Sequence, residues 1–235
     1  MRISRVRSGK PLLAIVAILF LVSLAFAARE FVAPKVFPAK TYPALDEHPM
    51  EKVSVAVDPY DLPDKAAIFA VKYLENGFIP MNLIITNEAA APLVLTGMKV
   101  QLVTRDRTKI SPAEDEDIFR RITHLKRSGG QAPQGPLPFP LPKTRDKKGI
   151  PKEAYGELES AKFKARAVEP GGTQSGFLFF DVRDIANPLA GARLFVTGIR
   201  DNDGNDLMYF EIPLEKYLSY TPPANPAPAD AQPSK

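Results

Sequence analysis

The chain has 235 residues, no cysteine and a formal net charge of +4. Without cysteine there is no disulfide framework and no thiolate metal site, so apolar packing has to hold the fold. Residues 1–27 carry four basic residues and no acid, which leaves 27 basic and 27 acidic residues beyond them. That balance excludes the domain-wide basic footprint that a nucleic-acid partner requires.

The N-terminus reads as a targeting segment. Arg2, Arg5, Arg7 and Lys10 precede the apolar run LLAIVAILFLVSL, and Ala25-Phe26-Ala27 fits a small-residue cleavage site. The rival reading is an uncleaved membrane anchor over the uncharged residues 12–28, with the basic residues left in the cytoplasm. The short apolar core and the small residues at its end favour cleavage. Both readings place residues 30–235 outside the cytoplasm, in the periplasm or secreted, or held on the inner membrane by residues 12–28.

Residues 28–52 lack a clear period and carry four prolines. They read as an irregular stalk, or a segment draped over the domain. A β-sandwich domain is expected over 53–220, with a helix and a Pro-rich insertion at 111–160. Val53, Val55 and Val57 alternate with small residues, as a strand does. Ala66–Leu74 and Phe78–Thr86 read as two strands joined by Asn76-Gly77, a strong hairpin signal. Pro80 lacks an N–H, so the second strand is expected to begin at a sheet edge or a bulge. Thr86–Thr104 reads as strand end, loop and strand.

Ser111-Pro112-Ala113-Glu114 reads as a capped helix start, and Ile118, Phe119, Ile122 and Leu125 fall on one face of the helix that follows. Residues 128–150 are rich in proline and glycine, with PLPFPLP at 136–142 favouring an extended surface loop. A short helix is expected through 151–160 and a half-buried strand over Ala161–Ala167. Arg193–Ile199 and Leu207–Ile212 read as a hairpin around DNDGND. Residues 221–235 have the composition of a disordered Pro/Ala-rich tail.

The stretch EPGGTQSGFLFFDV, Glu169–Val182, decides the architecture. Glu169-Pro170-Gly171-Gly172 supplies a turn. Phe177 and Phe179 then face one way, and Leu178, Phe180 and Val182 the other. With both faces apolar, the strand is expected at the centre of a sheet covered on both sides. One cover would be a second sheet, the other the helix after Pro112 or the N-terminal segment. Gly176 leaves room for another backbone. Seven or eight short strands, one inserted amphipathic helix and a Pro-rich loop therefore predict an all-β, immunoglobulin-like antiparallel β-sandwich.

The run PGGTQSGFLFFDV, with ITNEAAAPLVL earlier in the chain, resembles a family of secreted bacterial immunoglobulin-like domains of unknown function. The full chain also resembles hypothetical envelope proteins of acidobacteria with a similar signal and Pro-rich loop, and the match covers residues 53–215. The resemblance implies an exported, non-catalytic domain and carries over no site residue.

Chemistry-bearing motifs are sparse. The two histidines are His48, in the irregular N-terminal segment, and His124, at the end of the amphipathic helix. Gly172-Thr173-Gln174-Ser175-Gly176 has the wrong spacing for a nucleophile elbow, and no phosphate-binding or zinc motif occurs. No catalytic residue and no cofactor are therefore expected, although a carboxylate pair assembled from distant positions leaves no sequence signature. Asp201, Asp203 and Asp206 in DNDGND are the metal candidates, since carboxylates at a glycine turn suit calcium. The same residues are the favoured residues of a plain hairpin turn. Residues 118–152 hold nine basic residues and one acid. This basic loop, residues 120–152, reads either as a solvated, self-repelling loop or, together with the N-terminal segment, as a contact with anionic lipid headgroups or cell-wall polymers.

The sequence therefore predicts an exported binding or scaffolding domain of the cell envelope whose partner is a protein or polymer. An accessory hydrolase using scattered carboxylates and a calcium-stabilised adhesion module are the alternatives.

Overall fold

The computed structural model describes residues 31–125 and 152–219. The leader, the segment 126–151 with PLPFPLP and most of the basic loop, and the tail from 220 lie outside the described residues.

Among the described residues there are ten strands, seven of them with four residues or more. In chain order they are β1 (Leu45–His48), β2 (Val53–Pro59), β3 (Phe78–Asn87), β4 (Leu93–Val94), β5 (Lys99–Val103), β6 (Lys109–Ile110), β7 (Ala167–Val168), β8 (Thr173–Asp181), β9 (Arg193–Thr197) and β10 (Phe210–Pro213). The helices are α1 (Pro63–Ala66), α2 (Asp115–Leu125), α3 (Lys152–Ala161) and α4 (Glu215–Leu218). The fold is mostly β, and every ladder between named strands is antiparallel. One sheet has the order β1-β2-β3-β8 and the other β10-β9-β5-β6, with β4 and β7 forming a separate pair.

The valines that alternate in sequence meet the second sheet. Val53, Val55 and Val57 of β2 join Met81, Leu83 and Ile85 of β3 in one core with Leu102, Leu194, Val196 and Ile212 of the opposing sheet. Burial at this density is worth about 1.5–3 kcal/mol per large apolar side chain. At one seam the sheets are joined by polar contacts as well. The Asp46 carboxylate accepts the Glu211 backbone N–H at 2.8 Å, and the His48 ring stacks on Phe210 at 3.9 Å.

The outer face of the first sheet is covered by a helical and aromatic layer. Phe177 and Phe179 pack there with Ile118, Phe119 and Ile122 of α2, Ala154, Leu158 and Ala161 of α3, and Tyr60, Phe69 and Tyr73. Phe180 and Val182 belong instead to the core between the sheets. The alternation expected of this strand holds, and both its faces are covered. Its place in the sheet differs: β8 is the last strand of its sheet, not a central one. Two isolated bridges close its outer edge, Pro112 to Phe180 and Lys162 to Phe177. The Phe163 backbone crosses Gly176 so closely that a Cβ there would lie 2.4 Å from the Phe163 Cα.

Those bridges explain two further differences. Ser111 does not cap a helix, because Ala113 N–H donates to the Phe179 carbonyl at 2.7 Å and holds residues 112–113 against β8. The helix begins at Asp115, with the Glu114 carbonyl accepting from the Asp117 and Ile118 N–H groups at 3.1 Å each. Ala161–Ala167 does not run as one strand: its alternation is interrupted by the bridge at Lys162, and only Ala167–Val168 pairs.

Ala66–Leu74 is not a strand either. Pro63 opens a short helix, a role its fixed φ favours. The following residues turn so that Phe69 and Tyr73 enter the aromatic layer. Asn76-Gly77 ends a 3-10 turn, with Gly77 left-handed at φ 78°, and makes no hairpin. β3 is an interior strand, buried at every position. Pro80 is tolerated because β2 ends at Pro59. The Pro80 carbonyl accepts from Tyr60 N–H on that side, so the missing N–H falls opposite Tyr60, one residue beyond the end of β2. Residues 28–52 are not wholly irregular: they contain β1, and Ala39 and Ala44 are fully buried. Phe31 stacks on Phe69 at 5.4 Å, so this segment drapes over the domain.

Candidate functional site

The metal candidates lie in the β9–β10 connection and form a closed turn. Asp201 accepts from the Asn205 backbone N–H at 2.8 Å and from the Asn205 side-chain amide at 2.9 Å. These bonds, Asn205 first, lower the Asp201 pKa. Asp206 accepts from Arg200 Nε at 2.8 Å. Gly204 takes the left-handed conformation, φ 86°, that the turn requires. Asp203 is exposed. Among the described residues, no three His, Cys, Asp or Glu side chains converge as a metal cluster would. The arrangement is that of a hairpin turn whose carboxylates already have partners at Asp201 and Asp206.

Two residues of the basic stretch 120–152 are likewise engaged. Arg120 pairs with Asp117 one turn earlier. Arg121 holds both oxygens of Asp181 and lies 4.3 Å above the Phe78 ring, tying α2 to the end of β8. The guanidinium holds the Asp181 carboxyl below its ordinary pKa. His48 is packed on Phe210, and the side chain of His124 lies outside the described residues.

A further chemically varied concavity lies away from these candidates. It is a groove of about 510 Å³ lined by Thr41, Tyr42, Pro43, Asp58, Asp61, Leu62, Lys65, Tyr217 and Leu218. β2 supplies Asp58 at its end. Pro59 and Pro63 break the chain on either side of Asp61, and α1 returns Lys65 to Asp58 at 2.5 Å. The Lys65 ammonium lies 4.8 Å from the Tyr60 ring centre and 4.7 Å from that of Tyr217. Aromatic faces attract cations at such distances. α4 brings in Tyr217, whose hydroxyl donates to Asp61 at 2.6 Å and lies 3.1 Å from the Pro59 carbonyl.

The electrostatics follow from this packing. Burial raises the Asp58 pKa, Lys65 opposes that rise, and the Asp61 charge adds to it. Tyr217 is pushed well above its ordinary value by burial first, and then by its bond to Asp61. Burial and the Asp58 charge do the same to Tyr60. Both phenols therefore stay protonated, and Tyr217 serves Asp61 as a donor. Lys65 is committed to Asp58, whereas Asp61 has no basic side chain within 4.0 Å among the described residues. Leu62 is 57% exposed and Leu218 48%, so the rim is apolar.

Sequence reasoning had half of the signal. DPYDLPDK, Asp58–Lys65, places three carboxylates and an ammonium within eight residues. Tyr217 and Tyr42, far away in sequence, close the groove only through the fold.

A second polar feature is structural. Glu157 of α3 is 6% exposed, and its carboxylate accepts the backbone N–H groups of Ala70 at 2.5 Å and Val71 at 3.1 Å. The nearby Tyr73 hydroxyl is buried without a hydrogen-bond partner among the described residues. Burial raises its pKa, and the Glu157 charge adds to the rise.

The fold and groove define a mostly β domain of two antiparallel sheets with a helical layer on one of them. No known family and no curated protein matches the chain. Among solved structures, a conserved hypothetical protein from Bacillus anthracis is similar over 73% of this chain and 93% of its own, at 13% identity and a TM-score of 0.31. At that score the likeness sets neither family nor function.

Proposed function

We propose that the chain is an exported, non-catalytic binding or scaffolding domain of the cell envelope, built as an immunoglobulin-like sandwich. The observation that supports a binding role is the groove between α1 and α4. Its interior is held by the Lys65–Asp58 and Tyr217–Asp61 contacts, while Leu62 and Leu218 remain open at its rim. A preorganised polar interior under an apolar rim suits recognition, because little has to be ordered on binding. Export is supported by the basic, apolar and small-residue pattern of residues 1–27.

The test is fractionation of cells making the full chain, with the N-terminus of the recovered protein read by mass spectrometry. The proposal expects the chain outside the cytoplasm, beginning at Ala28 if the leader is cleaved. Recovery in the cytosol with the leader intact contradicts it.

A second reading is favoured by one observation: Asp58 and Asp61 line the same groove, and burial raises the pKa of the first. Two carboxylates in different environments are the equipment of a glycoside hydrolase. Release of soluble sugar from envelope carbohydrate that disappears in both Asp58→Asn and Asp61→Asn establishes this reading. No release from any such polymer removes it.

A further inference from the structure

We infer that the groove takes the side chain of a lysine or arginine on an extended partner peptide, with its ammonium or guanidinium on Asp61. This assignment rests on the binding reading above and adds the ligand's chemistry to it. The charges that line the groove are Asp58, Asp61 and Lys65, a net of one negative charge. Lys65 lies against Asp58 at 2.5 Å and is neutralised there. The excess charge therefore resides on Asp61, one of whose oxygens accepts from Tyr217 while the group has no cation of its own among the described residues.

The surroundings select the rest of the ligand. Leu62 and Leu218 are both exposed, and with Pro43 they line the same groove as Asp61. A long basic side chain lays its methylene stem on such a surface and its charge on the carboxylate. An anionic side chain meets repulsion at Asp61. A neutral one of similar length leaves that charge uncompensated. The volume, about 510 Å³, holds a few residues of extended peptide rather than a folded domain.

The probes are three capped tripeptides, acetyl-Leu-Lys-Leu-amide and its Gln and Glu counterparts, titrated into the full chain. The readout is the dissociation constant, with the Tyr42 and Tyr217 ring signals reporting the place of binding. The Lys peptide is expected to shift both rings and to bind at least about tenfold more tightly than the Gln peptide. The Glu peptide is expected not to bind. Asp61→Asn is expected to reduce the Lys peptide to the level of the Gln peptide. Leu62→Ser, at an exposed position that cannot compromise the core, is expected to weaken all binding while leaving the preference for Lys. Asp203→Asn, in the distant hairpin, changes nothing.

Equal affinity for Lys and Gln peptides, insensitivity to Asp61→Asn in a folded variant, or no ring shift with any peptide overturns the assignment. Fractionation of the same chain separates the two claims. An exported chain that ignores the Lys peptide loses only the ligand, whereas a cytosolic chain loses the envelope reading.

Discussion

Glu157 is the residue whose removal tests the helical layer most severely. Its carboxylate reaches from α3 to the backbone of residues 70 and 71 and so fixes the segment that delivers Phe69 and Tyr73 to the aromatic layer. A hydrogen bond to a charged acceptor is worth about 1.5–3 kcal/mol net, and a buried donor left unpaired keeps its full desolvation cost. Two such bonds place the cost of Glu157→Ala at roughly 3–6 kcal/mol. For a domain of this size each kcal/mol lowers the melting temperature by about 2–4 °C, so a fall of roughly 6–24 °C is expected. Glu157→Gln keeps one acceptor oxygen but points an amide donor at the other N–H, and should lose about half as much. The assay is urea and thermal unfolding followed by far-ultraviolet circular dichroism. A Glu157→Ala protein within about 0.5 kcal/mol of the parent would falsify the clamp.

Gly176→Ala should destabilise by about 1–3 kcal/mol, because the added Cβ meets the Phe163 backbone at 2.4 Å rather than a movable side chain; the urea midpoint measures it. Phe177→Ala empties a site at the centre of the aromatic layer and should cost about 3–5 kcal/mol, read from the same transition. The Arg121–Asp181 pair predicts a pH dependence. The folded pKa of Asp181 is depressed, so its contribution is complete above the ordinary carboxylate pKa of about 4 and is lost as pH falls through the lower folded value. Melting temperatures taken downward from about pH 5 should therefore fall more steeply for the parent than for Asp181→Asn. Millimolar calcium should leave the melting temperature unchanged, since Asp201 and Asp206 are already engaged within the hairpin; a rise that Asp201→Ala abolishes would establish the metal reading.

Local patterning made much of the sheet framework legible. Alternation marked β2 and β8, the hairpin reading around DNDGND marked β9, and the turn at Glu169–Gly172 formed as its residues demand, with Gly171 at φ 69°. Where the sequence misled, tertiary packing overrode a sound local signal. Asn76-Gly77 supplies positive φ for a hairpin, but the same property ends a 3-10 turn once Phe69 and Tyr73 are drawn into the aromatic layer. Ser111-Pro112 has the chemistry of a helix start, yet the open edge of β8 competes for that backbone and wins it. No sequence signal distinguishes a central strand from an edge strand whose rim is closed by such bridges. The groove escaped for a related reason: Asp58, Asp61 and Lys65 are neighbours in sequence, but Tyr217 arrives from more than 150 residues away.

The phenylalanines of β8 are sealed between two layers, and nuclear magnetic resonance of ring-labelled phenylalanine in the presence of a soluble gadolinium chelate tests this directly. Phe177, Phe179 and Phe180 are each at most 2% exposed, whereas Phe37 is 47% exposed and serves as the internal control. The account predicts strong relaxation of the Phe37 ring with the three β8 rings unaffected. Relaxation of Phe177 and Phe179 to the extent seen at Phe37 would mean that the strand lines an open cleft, and the reading of this face as packing would be wrong.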